Sequence, residues 1–109
     1  MRRRYSKYDL PLTVVKIVEA TCEDYPRRKK LLRAGNLSDE VRDEYTRLNA
    51  MMEAVIAELD EGVRVQMLSD IGRGVGYGGS TLSMIMSKIY YYRVKRAAVR
   101  AMAERMRLI

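Results

Sequence analysis

Val41, Tyr45, Leu48, Met52, Val55 and Leu59 recur at alternating spacings of four and three. That period lays all six on one stripe of an α-helix and is useless to a strand, whose faces alternate every second residue. Ser38 stands where an N-cap belongs, and the acidic first turn, Asp39, Glu40, Asp43 and Glu44, suits the positive end of the helix dipole. Asp60-Glu61-Gly62 ends or bends the helix. The stripe spans fewer than three heptads, so a core-facing helix is the first reading. A homodimer formed through the 38–59 helix is the second.

The rest of the chain extends the helical pattern. Asp9 reads as an N-cap with Pro11 tolerated in the first turn, and Leu12, Val15, Ile17 and Val18 supply an apolar side that ends before Pro26. A short helix from about residues 24–26 through Arg27, Arg28, Lys29, Lys30 and Arg33 stops at Gly35-Asn36, a left-handed C-cap. Its basic run reads first as a solvated face and second as a phosphate patch. Val63, Val65, Met67, Leu68 and Ile71 mark another short helix, after which Gly72, Gly74, Gly76, Gly78 and Gly79 make a loop. Gly74 to Gly79 fits GxGxxG, but no alternating β-branched run precedes it as a dinucleotide fold requires. At 109 residues, one compact all-α domain of about five helices is expected, with a helical region over 1–62 and a helix-turn-helix over 63–109.

Composition narrows the chemistry. Histidine is absent and Cys22 is the single cysteine, so an ordinary zinc site and any Ser-His or Cys-His pair are excluded within one chain. The acids at 39, 40, 43 and 44 could hold a divalent ion, yet acids in a first helical turn are the ordinary expectation. The reading is therefore of a non-enzyme with no metal and no cofactor. No apolar run reaches the ~18 residues of a membrane span, and Met1-Arg2-Arg3-Arg4 leads into no secretory segment, so a cytoplasmic protein with no membrane partner is expected.

Charge is distributed unevenly around a net +7. Residues 1–36 hold ten basic and four acidic side chains, residues 37–72 three and nine, and residues 73–109 eight and one. Two basic ends flanking an acidic middle point to a polyanion as partner. The basic C-terminal third reads STLSMIMSKIYYYRVKRAAVRAMAERMRLI from Ser80. A short helix over Thr81 to Met86, a tight turn, and a long helix capped by Ser87 and running from Lys88 to about Arg107 make a helix-turn-helix. On the long helix Tyr91, Val94, Ala98 and Met102 share one face, while Ile89, Arg93, Arg96 and Arg100 lie roughly opposite. A helix fits the major groove of double-stranded DNA with its N-terminal residues at base edges and later cations on phosphates. Lys88, Ile89, Tyr92 and Arg93 are the expected readers, and Lys95, Arg96 and Arg100 the expected phosphate clamps. Arg73 and Ser80, at the two ends of the glycine segment, complete the candidate set. Of Tyr90, Tyr91 and Tyr92, at least one is expected in the core.

The pattern Ser87, Tyr91, Val94, Ala98, Met102 with Lys95-Arg96 between resembles the recognition helix of sigma-factor region 4 domains. The stretch SKIYYYRVKR is similar to that of phage-encoded transcriptional regulators of the RinA and ArpU type. The resemblance covers residues 63–109 and implies an all-helical DNA-binding regulator of phage late, packaging or lysis genes. The acidic middle leaves RNA polymerase, or the chain's own basic N-terminus, as a further contact. The alternative is a non-catalytic helical assembly or packaging protein.

Overall fold

The computed structural model describes residues 8–109, so the expectations resting on Met1 to Lys7 lie outside the described residues. Five α-helices follow in order: α1 (Leu12–Glu23), α2 (Tyr25–Ala34), α3 (Asp39–Ile56), α4 (Arg64–Arg73) and α5 (Lys88–Arg105). Two short 3-10 segments, Tyr77–Gly79 and Thr81–Met84, lie between α4 and α5. No strand occurs among the described residues, and no helix there is long and apolar enough to cross a membrane.

Local chemistry explains most helix ends. Ser38 Oγ accepts from Val41 N, which satisfies one of the free amides opening α3. Gly35 and Gly74 close α2 and α4 in the left-handed conformation, with φ of 78° and 66°. At α1 the expected cap is displaced. Asp9 takes a φ of 58°, and Pro11 occupies the N-cap position while its carbonyl accepts from Val14 and Val15 N. Proline has no amide to leave unsatisfied there.

The core joins both halves of the chain. Val14, Val15 and Val18 of α1 pack with Met52, Val55 and Ile56 of α3, Met67 and Ile71 of α4, and Ala98, Val99 and Met102 of α5. At its centre Cys22 Sγ lies 3.5 Å from Met52 Sδ and 3.3 Å from Met102 Sδ, so three helices meet on three polarisable sulfurs. The α3 stripe is thus covered from within: Met52 and Val55 are buried, and Tyr45 OH accepts from Arg27 Nη2 of α2 at 3.2 Å. Only the α3 start, with Val41, is left exposed. Ile17 and Val65, expected to be apolar contacts, also face solvent.

Two residues depart from the sequence reading for definite reasons. Arg28, taken with its neighbours as a solvated cation, is 2 % exposed. Its guanidinium donates to Asn49 Oδ1 and to the Thr21 carbonyl, both at 2.7 Å, and lies 3.3 Å from Asp24 Oδ2, tying α2 to α3 and to the end of α1. Gly72, expected in a loop, lies inside α4 where the helix crosses α1. A Cβ there would stand 2.6 Å from Glu23 N and 2.8 Å from Glu23 Cα, so the two backbones touch as only glycine allows.

Backbone atoms cannot swing aside as side-chain ends do. Gly72→Ala should therefore lose about 2 kcal/mol despite the ~1 kcal/mol helix propensity that alanine gains, whereas Gly62→Ala, with open space around it, should be nearly neutral. Urea melts of both variants check this, and an unchanged Gly72→Ala midpoint would refute the crossing. Burial also raises the Cys22 thiol from its ordinary 9.0 to about 12, and burial raises the Tyr8 and Tyr25 hydroxyls to about 12, with a hydrogen bond to Glu53 adding to the effect at Tyr25. The folded chain then holds protons that the unfolded chain has released, so stability falls as pH rises through 9 and most steeply between about 10 and 12. Denaturant midpoints at stepped alkaline pH should show that decline, and Cys22→Ala should remove its early part.

Candidate nucleic-acid interface

α5 is two-sided. Ser87 Oγ accepts from Tyr90 N at 3.2 Å and fixes where the helix starts; its 18 residues then run roughly 27 Å. Tyr91, Lys95, Ala98 and Met102 point into the protein, at spacings of four, three and four. Lys88, Ile89, Arg93, Arg96 and Arg100 face solvent. Lys88, Ile89, Tyr92, Arg93 and Arg96 together line one shallow depression of about 380 Å³. Among the described residues Lys88, Arg93 and Arg96 form no ion pair, while Arg100 has Glu104 at 3.7 Å. Five of the expected site residues are therefore brought together, with Arg100 farther along the same helix.

What seats α5 is a buried carboxyl group. Asp70, in α4, is fully buried and accepts from Gln66 Nε2 at 2.8 Å, from Tyr91 OH at 3.0 Å and from Ser80 Oγ. Ser80 Oγ in turn accepts from Leu82 N and opens the second 3-10 segment. One side chain thus joins α4, the connecting segment and α5. Burial, reinforced by the bond to Asp70, holds the Tyr91 hydroxyl well above its ordinary range, so this ring stays a neutral donor. Tyr77 stands edge-on to Tyr91 with ring centroids 5.5 Å apart, and its hydroxyl donates to the Met86 carbonyl at 2.7 Å.

Four of the expected residues have other roles. Lys95 is not a phosphate clamp: it is 1 % exposed, its ammonium donates to the Val75 carbonyl, and it lies 5.7 Å from the centre of the Tyr91 ring. Its place four residues after Tyr91 and three before Ala98 puts it on the packing face. Ser80 is buried on Asp70 and cannot reach a ligand. Tyr92 keeps its ring in the depression, but its hydroxyl accepts from Tyr77 N at 3.1 Å, so it forms a wall. Arg73 lies at the end of α4 and borders a different cleft, of about 660 Å³, with Lys29, Lys30 and Arg33. The helix expected over Thr81 to Met86 is a four-residue 3-10 segment, and fourteen residues, 74 to 87, separate α4 from α5. The approach to α5 is therefore a pinned segment in place of a tight turn. Three of the four acids at the α3 start are paired locally, Asp39 and Asp43 with Arg42 at 3.1 and 3.7 Å and Glu44 with Arg47 at 2.5 Å.

Asp70 had no signal in the sequence beyond being an acid in an apolar segment. If it joins the three donors, Asp70→Ala should cost ~3 kcal/mol or more, because buried donors are left unpaired, while Ser80→Ala and Tyr91→Phe each cost about 1 kcal/mol. The Ser80→Ala, Tyr91→Phe double variant should deviate from additivity by more than ~0.5 kcal/mol in equilibrium unfolding, and strict additivity would show that the donors act independently.

Comparison with known protein families, with curated proteins and with solved structures returns no match, so the geometry of α5 and its surroundings is what a functional reading rests on.

Proposed function

We propose that the chain is a DNA-binding transcriptional regulator that lays the exposed face of α5 in the major groove of duplex DNA. The observation that carries this reading is the grouping of Lys88, Arg93 and Arg96, without compensating acids among the described residues, on one face of a helix whose opposite face is locked into the core. Three like charges converging on one depression repel one another, and a polyanion relieves that repulsion. A groove about 12 Å wide admits a helix, and the free N-terminal turn of α5 is the part that would go deepest. Ile89 then faces base edges, with Lys88, Arg93, Arg96 and Arg100 following along the phosphates. The resemblance of Ser87 to Met102 to the recognition helix of sigma-factor region 4, and of SKIYYYRVKR to phage regulators, agrees with this reading and with a phage or prophage source.

Neutralising about four phosphates gives a slope of log affinity on log salt near −3.6. In a mobility-shift titration of a duplex from the region upstream of its own coding sequence, Arg93→Ala with Arg96→Ala should flatten that slope by about 2. Lys95→Met should leave the slope unchanged, since the Lys95 ammonium is spent on Val75. No retarded species at about 50 mM salt, or an unaltered slope in the double arginine variant, would overturn the reading.

A further inference from the structure

The end of the connecting segment and the first turn of α5 hold four exposed large apolar side chains within seven residues, and no seven-residue stretch elsewhere among the described residues holds more than one. Met84 is 85 % exposed, Ile85 67 % and Ile89 76 %, with Tyr90 following. Scattered exposed apolar side chains are normal on a protein surface; four within seven residues mark a contact surface.

The backbone around Met84 and Ile85 is anchored on both sides. Leu82 and Met86, on either side of Met84 and Ile85, are both buried. The Tyr77 hydroxyl donates to the Met86 carbonyl at 2.7 Å, with the Ser83 carbonyl at 3.2 Å, which fixes the backbone before and after the pair. Ser80 on Asp70 anchors the start of the same segment. Ile89 shares its depression with Lys88, Arg93 and Arg96, so the apolar surface adjoins the cations. A partner that fits must offer negative charge beside small apolar groups at the reach of one helical end. Duplex DNA offers both, in its phosphates and in the C5-methyl groups of thymine, which stand in the major groove.

We propose that Met84, Ile85 and Ile89 form an apolar reader of thymine methyl groups, giving the chain a preference for thymine-bearing major grooves. This rests on the DNA-binding reading above and adds to it the chemical feature that is read. Lys88, Arg93 and Arg96 supply attachment without regard to sequence; the apolar triad supplies discrimination.

Replacing thymine by uracil removes only the methyl group and keeps every phosphate and every hydrogen-bonding edge. The test uses the full chain with two 24-base-pair duplexes, alternating adenine-thymine and alternating adenine-uracil, at about 50 mM salt. The thymine duplex should bind about tenfold more tightly, the effect of covering two methyl groups. Met84→Gln, Ile85→Gln and Ile89→Gln together should bring the ratio to about one while leaving the salt slope and the melting temperature unchanged, because all three positions are solvent-exposed. Equal binding of the two duplexes by the unaltered chain overturns methyl reading and leaves DNA binding intact. Binding to neither duplex overturns the DNA reading itself. Binding to phosphatidylglycerol vesicles and to neither duplex overturns both and reassigns the apolar tip to a lipid surface.

Discussion

Asp70 is the residue on which the C-terminal half depends. A carboxyl group in the interior is costly unless its oxygens are met by donors, and here Gln66, Ser80 and Tyr91 meet them. Those donors come from three places in the chain, α4 itself, the connecting segment and α5, so satisfying one buried group fixes how three elements stand to one another. The cost of leaving Asp70 unsatisfied is paid in every alternative arrangement. A purely apolar contact would tolerate α5 sliding or turning along its axis; directed bonds to one oxygen pair do not.

Two further polar ties act the same way at other junctions. Arg28 spans α2, α3 and the end of α1, and Lys95 holds the Val75 carbonyl beneath α5. Each is a long cationic side chain whose stem fills apolar space while its head finds an oxygen. In a chain of this size the apolar core is small, and these ties specify which packing of the helices is adopted. Gly72 adds the complementary constraint, a place where nothing larger than hydrogen fits between α1 and α4.

The helices were legible in the sequence where local chemistry decides them. The α3 stripe with Ser38, the Gly35 and Gly74 stops, the Ser87 start and the two faces of α5 all follow from spacing and capping, which act within one turn. Lys95 was also legible, since its spacing from Tyr91 and Ala98 puts it on the packing face; its charge concealed it. What was not legible is what depends on residues distant in sequence. Arg28 with Asn49, Asp70 with Ser80 and Tyr91, and Gly72 against Glu23 are pairings across 10 to 49 positions that no local pattern encodes. The same limit turned Ser80 from a loop donor into a core residue and set Arg73 beside Lys29, Lys30 and Arg33 instead of beside α5.

The consequence for function is that α5 has little freedom left to lose. Its buried face is fixed by Tyr91, Lys95 and Met102, and its start by Ser87. The fourteen residues before it are held at Ser80, Tyr77 and Val75. A surface presented in this way meets a partner without first ordering a helix or a loop, and that ordering cost is one of the larger debits against association. A 14-residue connection would ordinarily be the weak point of such an arrangement. Here its anchors place Met84 and Ile85 outward and Leu82 and Met86 inward, so that length gives a second, apolar surface next to the cationic one, and α5 with its approach acts as a single preformed edge.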